Sequence, residues 1–94
     1  MRVTLLLPQV LRPSAGGKSK VDVEMVDEAT LGSVLDALAR EHPALERRLR
    51  DEQRELRRYV NFFVDGEEVR RLDGVGTRLP DGAEVQVLPS VAGG

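Results

Sequence analysis

A chain of 94 residues is one small domain, and at this size it buries only roughly 60–65% of the surface its unfolded form exposes, too little to wall a deep substrate cavity alone. It has no cysteine and one histidine, which excludes disulfides, thiolate metal sites, a cysteine nucleophile and the common zinc sites. Three aromatics and no Trp require an aliphatic core, and a net charge of −2 gives no general drive toward nucleic acid. No segment approaches the ~20 apolar residues of a membrane span, and the opening stretch through Pro8 is too short for a signal h-region, so a soluble cytoplasmic protein is expected.

Residues 3–7 form a short aliphatic run ended by Pro8 and read as a first strand. Residues 12–18, with Pro13, Gly16 and Gly17, read as a turn-rich and mobile connection. Residues 21–25 alternate apolar and charged side chains, the period of a half-exposed second strand. Thr30 is a good N-cap, and Leu31, Val34, Leu35, Leu38 and Ala39 recur at helical spacing. The helix should end near His42, because Pro43 disfavours the helical conformation at the residue before it. Leu45 and Leu49 predict one further short turn.

Residues 46–58 mix Arg47, Arg48, Arg50, Arg54, Arg57 and Arg58 with Glu46, Asp51, Glu52 and Glu55, which reads first as a solvated face and second as a docking surface for an acidic partner. Residues 59–64 make a strong strand, and Asp65-Gly66 is a hairpin turn pair before a brief edge strand at residues 67–69. After the glycine-rich stretch at residues 73–76 and the Asp81-Gly82 turn, residues 85–87 form the last strand. Early and late strands flanking one helix place that helix on one face of a mixed sheet of four to five strands. The fold class is α+β, and a ubiquitin-like β-grasp meets the order with few elements. A ferredoxin-like fold would need a second long helix between residues 66 and 84, where Gly74, Gly76, Pro80 and Gly82 stand.

An intrinsic active site is hard to assemble. His42 stands at a helix C-terminus, where a cation interacts favourably with the helix dipole, and the structural reading is preferred over catalysis. Ser14, Ser19, Ser33 and Ser90 have no local base partner. Gly16-Gly17-Lys18-Ser19 approaches a phosphate loop, but Arg12 stands where the pattern requires glycine. What remains is the end of the chain, Leu88-Pro89-Ser90-Val91-Ala92-Gly93-Gly94. Two terminal glycines can enter a channel too narrow for side chains and leave a bare carboxylate at the tip. Pro89 cannot donate to a ladder, so strand pairing is expected to stop near Leu88. This divides the chain into a domain of residues 1–88 and a flexible tail of residues 89–94. Pro89, Ser90, Val91, Ala92 and Gly93 would enter a partner's active site, with Val91 as an apolar anchor, Gly93 and Gly94 for the tight passage and the Gly94 carboxylate as the reacting group. A carboxylate becomes a useful electrophile once adenylated, and sulfur attack on the acyl-adenylate would give a thiocarboxylate.

With this tail, the strand at residues 59–64 and Asp81-Gly82-Ala83-Glu84-Val85, the chain resembles the MoaD/ThiS sulfur carriers. Pro8-Gln9-Val10-Leu11-Arg12-Pro13 with Gly16-Gly17, and the insertion at residues 46–58, make it most similar to the CysO-type carriers of bacterial cysteine biosynthesis. The ending is shared with molybdopterin carriers. The resemblance implies a protein cosubstrate rather than an enzyme. An E1-like enzyme would adenylate Gly94 and exchange its oxygen for sulfur. The thiocarboxylate would then attack an aminoacrylate on a PLP-dependent cysteine synthase, and a metalloprotease would release cysteine. Magnesium-ATP and PLP would belong to those partners, with no cofactor or metal on this chain. Leu88, and Phe63 if it faces away from the helix, would rest on the partner surface. No nucleic acid or membrane partner is implied, and nothing demands more than a monomer. Two other readings stand beside the carrier: a ubiquitin-like modifier of lysines, and a non-catalytic β-grasp interaction module.

Overall fold

The computed structural model describes residues 1–90. Strand β1 (Arg2–Leu6) leads through a 3₁₀ helix (Gln9–Ala15) into β2 (Lys20–Glu24) and a short β3 (Ala29–Thr30). Helices α1 (Leu31–Glu41) and α2 (Pro43–Leu49) follow, then β4 (Val60–Val64) and β5 (Glu67–Glu68). Two 3₁₀ turns (Val69–Arg71 and Gly74–Gly76) precede β6 (Arg78–Leu79) and β7 (Glu84–Pro89). Five strands make one mixed sheet in the order β2-β1-β7-β4-β5, and β3 with β6 forms a separate two-stranded ladder. β7 lies in the centre, parallel to β1 and antiparallel to β4.

The alternation read from the sequence decides which face is covered. Val3 and Leu5, Val21 and Val23, Val60, Phe62 and Val64, and Val85 and Val87 are buried at every second position. Leu31, Val34, Leu35 and Leu38 of α1 pack on them, as do Leu45 and Leu49 of α2. The core is aliphatic as expected, with Phe62 its one aromatic among the described residues. Thr30 caps α1 reciprocally with Ser33: the Ser33 N–H donates to Thr30 Oγ1 at 3.1 Å and the Thr30 N–H to Ser33 Oγ at 2.9 Å. α1 stops at His42, and Pro43 then supplies the first residue of α2, where a missing N–H costs nothing. Asp65 and Gly66 take positive φ angles of 51° and 83°, as a tight two-residue hairpin turn needs.

Two expectations are corrected. The connection after β1 is a packed 3₁₀ helix rather than a mobile loop, because Leu11 and Ala15 are buried in the core. Gly16, at φ 66°, ends it, and the Gly17 N–H donates to Arg12 O at 2.7 Å. The charged segment at residues 46–58 is not simply a solvated face. Arg50 is 4% exposed, its Nε bonded to Glu46 and its Nη1 to Asp36, both at 2.9 Å. The Arg57 N–H donates to Leu49 O at 3.0 Å and Arg57 Nε to Arg47 O at 2.7 Å, which satisfies carbonyls that the end of α2 leaves open. The segment is thereby tied to α2 and α1.

Candidate functional site: the end of the central strand

The sheet holds its C-terminal strand between two neighbours as far as Gln86, and β7 then reaches the domain edge paired with β4. Asn61 stands opposite Leu88, and Val60 opposite Pro89. The Ser90 N–H donates to Tyr59 O at 2.7 Å and the Ser90 hydroxyl to Arg58 O at 2.9 Å. Pairing therefore runs through Pro89 and does not stop near Leu88, and Ser90 is hydrogen-bonded just beyond it. An antiparallel ladder alternates bonded and non-bonded pairs. With Tyr59 and Ser90 in a bonded pair, Pro89 falls at a non-bonded position, where β4 asks for no N–H. Val91, Ala92, Gly93 and Gly94 lie outside the described residues.

Phe63 is half-buried on the face away from α1, the orientation that follows from the burial of Val60, Phe62 and Val64. It stands opposite Gln86, which makes it a diagonal neighbour of Leu88 on the same open face. Leu88 is 36% exposed there. The two side chains expected to meet a partner thus share one surface, beside half-buried Leu6, which is also registered with Gln86.

A second surface at the strand's end was not foreseen. Val10 and Tyr59 are 59% and 57% exposed, and with Leu11, Arg48, Pro89 and Ser90 they line a groove of about 210 Å³. Its one sequence signal is Val10, an apolar residue between Pro8 and Pro13 that the core does not use.

The remaining candidates have structural employment or none. His42 joins the two helices, its N–H bonded to Leu38 O at 2.7 Å. Ser33 completes the α1 cap, and the Gly16-Gly17 turn enters a strand, not the helix a phosphate loop requires. Among the described residues no buried polar side-chain atom lacks a partner, no acidic or histidine cluster could hold a metal, and no helix is long and apolar enough to cross a membrane. The one resolved titration shift lies at the far end of the sheet: the Glu24 hydrogen bond, aided by its charge, holds the Arg2 guanidinium above its ordinary value.

A mixed sheet folded over one main helix, with the C-terminal strand at its centre, defines a ubiquitin-like β-grasp protein. The chain belongs to the ThiS family, whose model matches residues 5–94. It is 38% identical over 96 residues to the sulfur carrier protein CysO of Mycobacterium tuberculosis, covering 100% of both chains. It is 42% identical over 78 residues to small archaeal modifier protein 3 of Haloferax volcanii, covering 83% of this chain and 84% of the modifier. A chain in the crystal structure of the Amycolatopsis orientalis BexX/CysO complex superposes with a TM-score of 0.84 at 34% identity, covering 98% of this chain and 99% of that one.

Proposed function

We propose that this chain is a sulfur carrier whose Gly94 carboxylate is adenylated and converted to a thiocarboxylate, and that the sulfur goes to cysteine biosynthesis. The observation that carries the reading is the match to CysO over the full length of both chains, with the family model running to Gly94 of this chain. The chain acts as a protein substrate and supplies no catalytic group. Its part is to present Gly94, four residues beyond Ser90, which is the last described residue bonded to the sheet. On an E1-like partner the carboxylate oxygen attacks the α-phosphorus of ATP, and pyrophosphate leaves. A hydrosulfide equivalent then attacks the acyl carbon, and AMP leaves with the former carboxylate oxygen. Magnesium-ATP and PLP sit on partner enzymes, the second being a cysteine synthase, with a metalloprotease freeing the product. Leu88 and Phe63 form the face on which those partners rest.

The test is the intact mass of the full chain after incubation with the host's E1-like enzyme, ATP and a sulfur source. A gain of one oxygen-to-sulfur exchange, localised to Gly94, supports the reading, and an unchanged mass under those conditions overturns it. Cysteine attached at Gly94 after the synthase step would assign the pathway.

The likeness to an archaeal modifier protein favours one second reading, transfer of the same activated Gly94 to a lysine amine on another protein. Isopeptide adducts carrying this chain's C-terminus, found by digestion and mass spectrometry, would establish it alongside carriage.

A further inference from the structure

Charge is separated along the strand axis. At the end where β7 leaves the sheet stand Arg12, Lys18, Lys20, Arg48 and Arg58, and among the described residues none of them is in an ion pair. No carboxylate occurs before Asp22, so the 3₁₀ helix and the turn beside this end are free of negative charge. The other end of the sheet carries Glu24, Asp27, Glu28, Asp65, Asp81 and Glu84, and its cations Arg2 and Arg78 are paired with Glu24 at 2.6 Å and Glu28 at 3.5 Å. Strand direction produces this split. β2 runs against β1, which sets Lys20 opposite Leu6 at one end and Glu24 opposite Arg2 at the other.

Apolar surface lies among the unpaired cations. On one side of the exit is the groove between Val10, Tyr59 and Pro89, with Arg48 on its rim. On the other a concavity of about 370 Å³ is lined by Leu6, Pro8 and Leu88 together with Arg12 and Lys20. Like charges gathered without counter-ions repel one another, and an opposite charge brought against them gains both attraction and orientation.

We propose that this end is a docking collar for an acidic protein surface. Carboxylates of the partner meet Arg12, Lys20, Arg48 and Arg58, and an apolar side chain between them enters the groove beside Val10 and Tyr59. The acidic far end turns the molecule in the partner's field so that the collar arrives first. The inference rests on the carrier reading only for its consequence, that the partner with this acidic mouth receives residues 91–94. A nucleic acid would satisfy the cations but leave the apolar groove unfilled, so a protein is favoured.

The test is a titration of the ¹⁵N-labelled full chain with a synthetic acidic peptide bearing one central leucine, followed by amide shifts. Shifts at Val10, Arg48, Tyr59 and Ser90 are expected, weakening at high salt and lost in the double variant Arg48→Glu/Arg58→Glu. Arg40→Glu, on α1 beside a different concavity, should keep them. Both altered sites are exposed, and unchanged spectra elsewhere verify the fold. No shifts at this end, shifts retained in the double variant, or equal shifts around Arg40 and Arg47 would overturn the collar. A peptide with serine for leucine that shifts Val10 and Tyr59 equally would overturn the groove's part, and stronger shifts with a single-stranded oligonucleotide of matched charge would reassign the surface. The titration needs no adenylation or sulfur, so its result and that of the mass measurement are independent.

Discussion

Ser90 is bonded to the Tyr59 carbonyl through its backbone N–H at 2.7 Å, and this bond is the last described link between the C-terminal strand and the sheet. With the Ser90 hydroxyl on Arg58 O, it fixes the described end of the chain to the edge of the sheet.

Hydrogen exchange should register that anchor. The Ser90 amide is expected to exchange more slowly than a free peptide amide, and Ser90→Ala should reduce its protection by removing the hydroxyl bond. The loss in global stability should stay under about 1 kcal/mol, since a neutral hydrogen bond near the surface contributes little net. An unprotected Ser90 amide in the wild-type chain would contradict that anchoring.

Removal of Gly94 separates chemistry from folding. The truncated chain should melt as the full chain does, because the core described within residues 1–90 is complete without Gly94, and it should take up no sulfur. Thermal melting with mass spectrometry checks both, and sulfur loading by the truncated chain would sink the carrier mechanism.

Leu88→Glu tests the open face. Leu88 is exposed and outside the core, so the fold should survive, while burial against a partner would set a carboxylate in an apolar contact. Loading kinetics should show a KM raised roughly tenfold or more with kcat little changed, the result of about 1.4 kcal/mol or more of lost binding. An unaltered KM would place docking elsewhere.

Arg50→Ala should be the costliest of the arginine truncations. It strips Glu46 of its partner, leaves Asp36 only its 3.8 Å contact with Arg54, and empties a buried position at the end of α2. Breaking a fully buried pair costs about 3–5 kcal/mol, and since Asp36 is 46% exposed we expect about 1–3 kcal/mol in urea unfolding. Arg54→Ala, with a side chain 74% exposed and a contact of 3.8 Å, should change stability by less than about 0.5 kcal/mol.

Several parts of this structure could be read from neighbouring residues alone. Thr30 ahead of an apolar stripe marks the start of α1, Pro43 marks its end, and period-two alternation marks β2 and β4, because capping and periodicity act over a few residues of chain. The diglycine end is a covalent fact, and the chemistry proposed for it needs no fold to be recognised. Arg50 looked like one more solvated arginine because its partner Asp36 belongs to another helix. Pro89 looked like the end of pairing because the side of the ladder its missing N–H faces depends on the register with Val60. Val10 and Tyr59 line one groove, and the cations gather at one end, only once β1, β2, β4 and β7 have taken their directions in the sheet. Local spacing determines which elements form and where they stop. Register, strand direction and the burial of a charge arise from packing between distant segments, so the anchoring of Ser90 and the surfaces around it belong to the tertiary structure.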